Sequence, residues 1–108
     1  MGKHLFLIVG AGKFSWGLSR YYLQSHAWDS AMLLCNKFSL EKFTCDVPHE
    51  KTLFFGITAH TLEKNLARFE KMFDKEGEIV LGFASGFPKQ YGLILAALRR
   101  LKKPFTIA

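Results

Sequence analysis

The stretch Leu5 to Leu18, LFLIVGAGKFSWGL, constrains this chain more than any other part of it. Five apolar residues, Leu5 to Val9, run unbroken into Gly10-Ala11-Gly12. A run that is apolar at every position leaves no face for water, and so reads as a parallel strand covered on both sides. Gly17 then opens what reads as a helix through SRYYLQ, with Leu18, Tyr21 and Tyr22 as its apolar face. Strand, glycine turn and helix start together make the usual cradle for a phosphate. Glycine permits positive φ and close approach of the backbone to a ligand. The helix N-terminus offers unpaired N–H groups and the positive end of its dipole. The spacing departs from G-x-G-x-x-G, because four residues separate Gly12 from Gly17.

The rest of the chain alternates in the same manner. Ala31 to Cys35 is a second buried run, with Asn36-Lys37 at its carboxyl end. Ser39 to Phe43 allows one helical turn with Leu40 and Phe43 inward, and Pro48 rules out a long helix there. Thr52 to Ile57 reads as a third strand. Leu62 to Phe73 has the clearest helical pattern: Thr61 as N-cap, Leu62, Leu66, Phe69 and Phe73 in one stripe, and Gly77 as the stop. Glu78 to Ala84 is a fourth strand running into Ser85-Gly86. Pro88 suits the first turn of a last helix, whose buried face is Ile94, Ala97, Leu98 and Leu101. Pro104 ends it before a fifth strand, Phe105-Thr106-Ile107. Strands alternating with helical segments imply parallel pairing through right-handed crossovers. The expectation is an α/β, Rossmann-like, doubly wound sheet of order 3-2-1-4-5, one nucleotide-binding domain over residues 1–108, with a ligand at the carboxyl ends of strands 1 and 4.

Composition narrows the class. Hydrophobic residues make up 49% of the 108, eleven of them phenylalanine, which argues for a packed core and against disorder. No apolar run approaches the ~20 residues that cross a bilayer, and the N-terminus lacks the length of a signal peptide, so the expected location is cytoplasmic with no membrane contact. Cys35 and Cys45 suggest reduced thiols rather than a disulfide framework. The net charge of +6 fits an anionic partner. The one dense basic cluster, Arg99 to Lys103, falls where a helix ends, and cations are favoured there without any ligand. The phenylalanines beside basic residues are taken up by core stripes, which argues against nucleic acid. Cys45, Asp46 and His49 lack a fourth ligand at useful spacing, so no metal site is expected.

Taken in order, these pieces resemble the amino-terminal part of the short-chain dehydrogenase/reductase superfamily. The residues that carry the likeness are GAG…G after strand 1, Asn36-Lys37 and LEKF after strand 2, LFFGITAHTLEKNLARFEKMF, and VLGFASGFPK. Ser15-Trp16-Gly17-Leu18 is similar to the longer glycine loop of enoyl-acyl-carrier-protein reductases. The resemblance implies a cofactor, NADP or NAD. Gly10, Ala11, Gly12, Ser15, Trp16 and Gly17 would lie at its pyrophosphate, Ile57 at its adenine, and Ala84, Ser85 and Gly86 along its nicotinamide ribose. Asn36 and Lys37 stand where NAD-specific members carry an acid for the ribose hydroxyl, which leaves room for the 2′-phosphate of NADP.

The family's Asp-Val at strand 3 is here Gly56-Ile57, and its Tyr-x-x-x-Lys belongs beyond strand 5. Tyr91 is followed four positions later by Leu95. That tyrosine is the general acid of hydride transfer. The reading is therefore a truncated Rossmann domain that binds a nicotinamide dinucleotide, with no catalytic residue and no oxidoreductase activity as an isolated chain. A second reading is a non-catalytic interaction module, because a sheet ending at strand 5 exposes an edge that invites a homodimer or a partner chain. A third, a class I methyltransferase-like fragment, would need an acid at the end of strand 2.

Overall fold

In a computed structural model the chain forms one five-stranded, all-parallel sheet of order β3-β2-β1-β4-β5. The structure describes residues 2–10, 13–53, 62–74, 76–82 and 88–107. The elements in chain order are β1 (Lys3–Val9), α1 (Lys13–Gln24), β2 (Ser30–Cys35), α2 (Lys37–Lys42), β3 (Glu50–Leu53), α3 (Leu62–Phe73), β4 (Glu78–Gly82), α4 (Pro88–Arg100) and β5 (Phe105–Ile107). This is the Rossmann-like architecture that the alternation of buried runs and helical stripes implies.

The unbroken apolar run of β1 has a direct geometric cause. Successive side chains of a strand point to opposite faces, and here both faces are covered. Phe6 and Ile8 join Leu34, Ile79 and Leu81 beneath α3 and α4, which contribute Leu66, Phe69, Phe73, Ile94, Ala97 and Leu98. Leu5, Leu7 and Val9 turn the other way, with Leu33, Cys35 and Val80, to meet Trp16 and Leu23 of α1 and Phe43 after α2. Phe6 meets Phe73 edge-on at 4.5 Å between ring centroids. Each such side chain contributes about 1.5–3 kcal/mol on burial.

Several expected boundaries move. Helix α1 begins at Lys13, four residues before Gly17, so Gly17 lies inside the helix and does not open it. Its buried face is Trp16, Ser19 and Leu23, whereas Leu18 is 37% and Tyr21 66% exposed. The earlier start turns the helix so that the large indole covers the sheet. Ser19, buried on the same face, interrupts the apolar pattern in the sequence and hides this register. Strand β3 starts two residues earlier than its apolar run. Glu50 and Lys51 pair with Met32 and Leu33, since an edge strand tolerates charge. Its expected continuation, Phe54 to Ile57, and the Thr61 cap lie outside the described residues, as does the stretch after Gly82 in β4.

Gly77 stands four residues beyond α3 and serves the turn into β4 rather than capping the helix. Its φ is +108°, and a Cβ there would collide with the backbone of Gly2. The adjacent Glu78 N–H donates to the Gly2 carbonyl at 2.7 Å. Helix α4 ends in a paired wrap: Lys103 N donates to Leu98 O at 3.1 Å and Lys102 N to Arg99 O at 3.0 Å. This is the Schellman arrangement, in which glycine normally takes the left-handed position. Here Lys102 takes it, with φ +54°. Replacing Lys102 by glycine is expected to raise stability in urea titrations by about 1 kcal/mol, by removing the left-handed penalty. Gly77→Ala is expected to lower it by about 1–3 kcal/mol.

Candidate functional site

The carboxyl ends of β1 and β2 bring together much of what the sequence singles out. After Val9 the chain passes through Gly10, and helix α1 starts at Lys13. Its unpaired N–H groups and positive dipole end therefore follow the Gly10-Ala11-Gly12 segment directly. Trp16, one turn into the helix, folds back so that its indole Nε1–H donates to the Gly10 carbonyl at 2.6 Å. The indole is 9% exposed. It stacks on Phe38 at 5.6 Å and meets Phe43 edge-on at 5.8 Å. Trp16 thus ties Gly10 to the first turn of α2.

The end of β2 is held just as closely. Asn36 caps α2: its Oδ1 accepts from Ser39 N at 2.8 Å. Ser39, fully buried, donates its hydroxyl to the Val9 carbonyl at 2.7 Å, tying α2 to the last residue of β1. Lys37 is exposed on the first turn of α2. Beneath them, burial pushes the Cys35 thiol up, with Ser39 and Lys51 acting in the opposite sense. A thiol held protonated is a poor nucleophile.

Several basic side chains serve the framework. Lys51 Nζ donates to the Phe43 and Leu40 carbonyls at the end of α2. Arg20 donates to Thr44 O at 2.9 Å and lies over the Phe43 ring. Arg68 of α3 donates to Thr52 Oγ1 and, at 2.6 Å, to Leu53 O. Arg100, in the last turn of α4, pairs with Glu70 at 2.8 Å and Glu63 at 3.8 Å across α3. These four of the fifteen basic residues are spent on carbonyls, a hydroxyl and carboxylates of the chain itself.

Of the expected site residues, Gly10, Trp16, Asn36 and Lys37 gather at one end of the sheet. Gly17 does not join them: it is exposed on α1, and a Cβ there would meet nothing within 4 Å. Ser15 and Trp16 lie in the helix rather than in a loop. Ala11, Gly12, Ile57, Ala84, Ser85 and Gly86 lie outside the described residues. The anchoring roles of Ser39 and Phe38 were not anticipated. The Asn-x-x-Ser spacing of a side-chain cap was visible at 36–39, but a hydroxyl reaching across to β1 leaves no trace in sequence.

Among the described residues no three His, Cys, Asp or Glu side chains gather as a metal would need, and His49 Nδ1 lies 2.7 Å from the Val47 carbonyl. No described helix is long and apolar enough to cross a membrane.

No protein-family model matches the chain, and no curated protein matches it. Among solved structures, it is similar to the C-terminal domain of a hydrogenase from Pyrococcus furiosus, with TM-score 0.53 at 10% identity. The match covers 98% of this chain and 90% of that domain. At that identity the likeness establishes a shared Rossmann-like fold.

Removing the Ser39 hydroxyl leaves a buried carbonyl of β1 without its donor. Ser39→Ala is expected to cost about 1–3 kcal/mol in chemical unfolding. Asn36→Ala, which removes only the cap, is expected to cost about 1 kcal/mol.

Proposed function

We propose that this chain is a nicotinamide-dinucleotide-binding domain of the short-chain reductase kind, which binds its cofactor without itself carrying hydride transfer. The observation that supports this most is the setting of Gly10-Ala11-Gly12. The segment joins the central strand β1 to the start of α1, at the point where the sheet order turns from β2 on one side to β4 on the other. Open parallel sheets bind ligands at that switch point, and a helix N-terminus there favours a phosphate. The hydrogenase domain contributes only the fold to this reading.

The chemistry at the end of β2 favours NADP over NAD. No acid stands there to accept from a ribose hydroxyl. Asn36 commits Oδ1 to its cap, which leaves its amide N–H groups as donors, and Lys37 adds an exposed cation beside them. Donors with a positive charge suit a 2′-phosphate. Gly10 and the turn after it would take the pyrophosphate, and the segment after β4 the nicotinamide ribose. Neither Tyr21, Tyr22 nor Tyr91 is followed four residues later by lysine, so this chain supplies no tyrosine–lysine proton donor of that family's type.

Calorimetric titration tests the reading. NADPH is expected to bind more tightly than NADH, with S-adenosylmethionine showing no heat. Gly12→Asp is expected to abolish binding by setting a carboxylate against the phosphates. Lys37→Glu is expected to weaken NADPH about tenfold, equivalent to about 1.4 kcal/mol. If wild type binds neither dinucleotide, the reading falls.

A second reading, an interaction module, is favoured by β5. This edge strand has Phe105 38% and Ile107 55% exposed, in register with the buried Ile79 and Leu81. Unpaired apolar edges recruit other strands. Sedimentation velocity at micromolar concentration is expected to show a dimer that Ile107→Lys dissociates; a monomeric wild type would remove this reading.

A further inference from the structure

The face of the sheet toward α1 holds a concavity at the opposite end from the glycine turn. It is a half-open hollow of about 290 Å³ between the carboxyl half of α1 and the first residues of β1 and β4. Four aromatic residues line it: Tyr21, Tyr22, His26 and Trp28. Tyr21 and Tyr22 lie 6.2 Å apart, and His26 and Trp28 meet edge-to-face at 5.2 Å. Among the described residues, Tyr21 is the most exposed of the large apolar side chains, at 66%. It has no place in either core cluster.

What the cavity offers a ligand follows from how its polar groups are spent. Trp28 Nε1 donates to Tyr22 O at 3.0 Å, and Ser25 Oγ donates to the same carbonyl at 2.8 Å. Thr106 Oγ1 donates to Glu78 Oε1 at 3.0 Å. Lys3 Nζ lies 3.9 Å from Glu78 Oε2, both side chains about half exposed. A pair that open and that long is weak, so an incoming cation can displace the lysine to water. Beside these bonds the wall presents the rings of Tyr21, Tyr22, His26 and Trp28 together with the Glu78 carboxylate. Ring faces carry negative potential, and their use around quaternary and methylated ammonium groups rests on it. An anion would meet the Glu78 carboxylate in the same wall. The volume is at the small end for ligand sites, which suits a head group rather than a cofactor.

We infer that this cavity binds a quaternary or methylated ammonium group, carried by a small choline-like molecule or by a methylated lysine side chain. The net charge of +6 opposes a cation at long range, but physiological salt screens it beyond about 8 Å.

The test is nuclear magnetic resonance on the full chain, titrated separately with choline chloride and with a short trimethyllysine peptide. The chain has two tryptophans, so the Trp28 indole N–H reports on the cavity while the Trp16 indole, bonded to Gly10, reports on the fold. Choline, the peptide or both are expected to shift the Trp28 signal saturably and leave Trp16 unmoved. Binding by choline identifies a small-molecule source, and binding by the peptide alone identifies a protein tail. Tyr21→Ala, at an exposed position, is expected to weaken binding about five- to tenfold without moving Trp16. Glu78→Gln is expected to weaken it to a similar degree. The inference is overturned if neither probe shifts Trp28, or if Tyr21→Ala binds as wild type does. Equal binding of choline's neutral carbon isostere would also overturn it, because the cavity would then be merely greasy.

Discussion

Everything in this fold depends on β1 having no wet face. Leu5, Leu7 and Val9 need one cover, Phe6 and Ile8 need another, and β2 and β4 must supply hydrogen bonds along both sides. A strand with these needs cannot be an edge. It forces helices onto both faces of the sheet, and the right-handed crossover rule then fixes which way the chain winds. The switch point beside β1 is the geometric remainder of that arrangement. Winding first one way from the centre and then the other leaves a crevice where the two directions part.

The side chains at this end of the sheet tie down the ends of β1 and β2. Trp16 closes onto Gly10 from one helix, and Ser39 onto Val9 from another. Both bonds reach carbonyls at the carboxyl end of the same strand. Each supplying side chain is itself held, Trp16 by Phe38 and Phe43, Ser39 by its place within the Asn36 cap. Such supports leave the ends of β1 and β2 little freedom to adjust.

The order of the sheet was readable in the sequence because burial on two faces leaves an unmistakable run of apolar letters, and α3 and α4 because their stripes are long. What stayed hidden has a common cause. The start of α1 depends on Trp16 finding a carbonyl six residues back, and the buried face of that helix includes a serine. The start of β3 depends on pairing with β2, not on its own Glu50 and Lys51. The cap at Asn36 is legible as residue types, but a cap and a ligand contact favour the same short polar side chain, so sequence does not separate them. Local pattern records what a residue hides from water. It does not record which distant backbone group a polar atom will meet.

The pairing of β1 with β4 has a kinetic meaning as well. β1 reaches β2 after one helix, but it reaches β4 only after α1, β2, α2, β3 and α3 have all been laid down. Loop closure over that span is the costliest in the sheet, and such contacts form late. The β1–β2 half, with α1 and α2 locked by Trp16 and Ser39, can therefore organise first. The switch point, with β2 on one side of β1 and β4 on the other, is complete only once β4 docks. A ligand that bridges the two sides would act as a clasp on the last-made joint, and its affinity would reappear, by mass action, as resistance of the whole domain to coming apart.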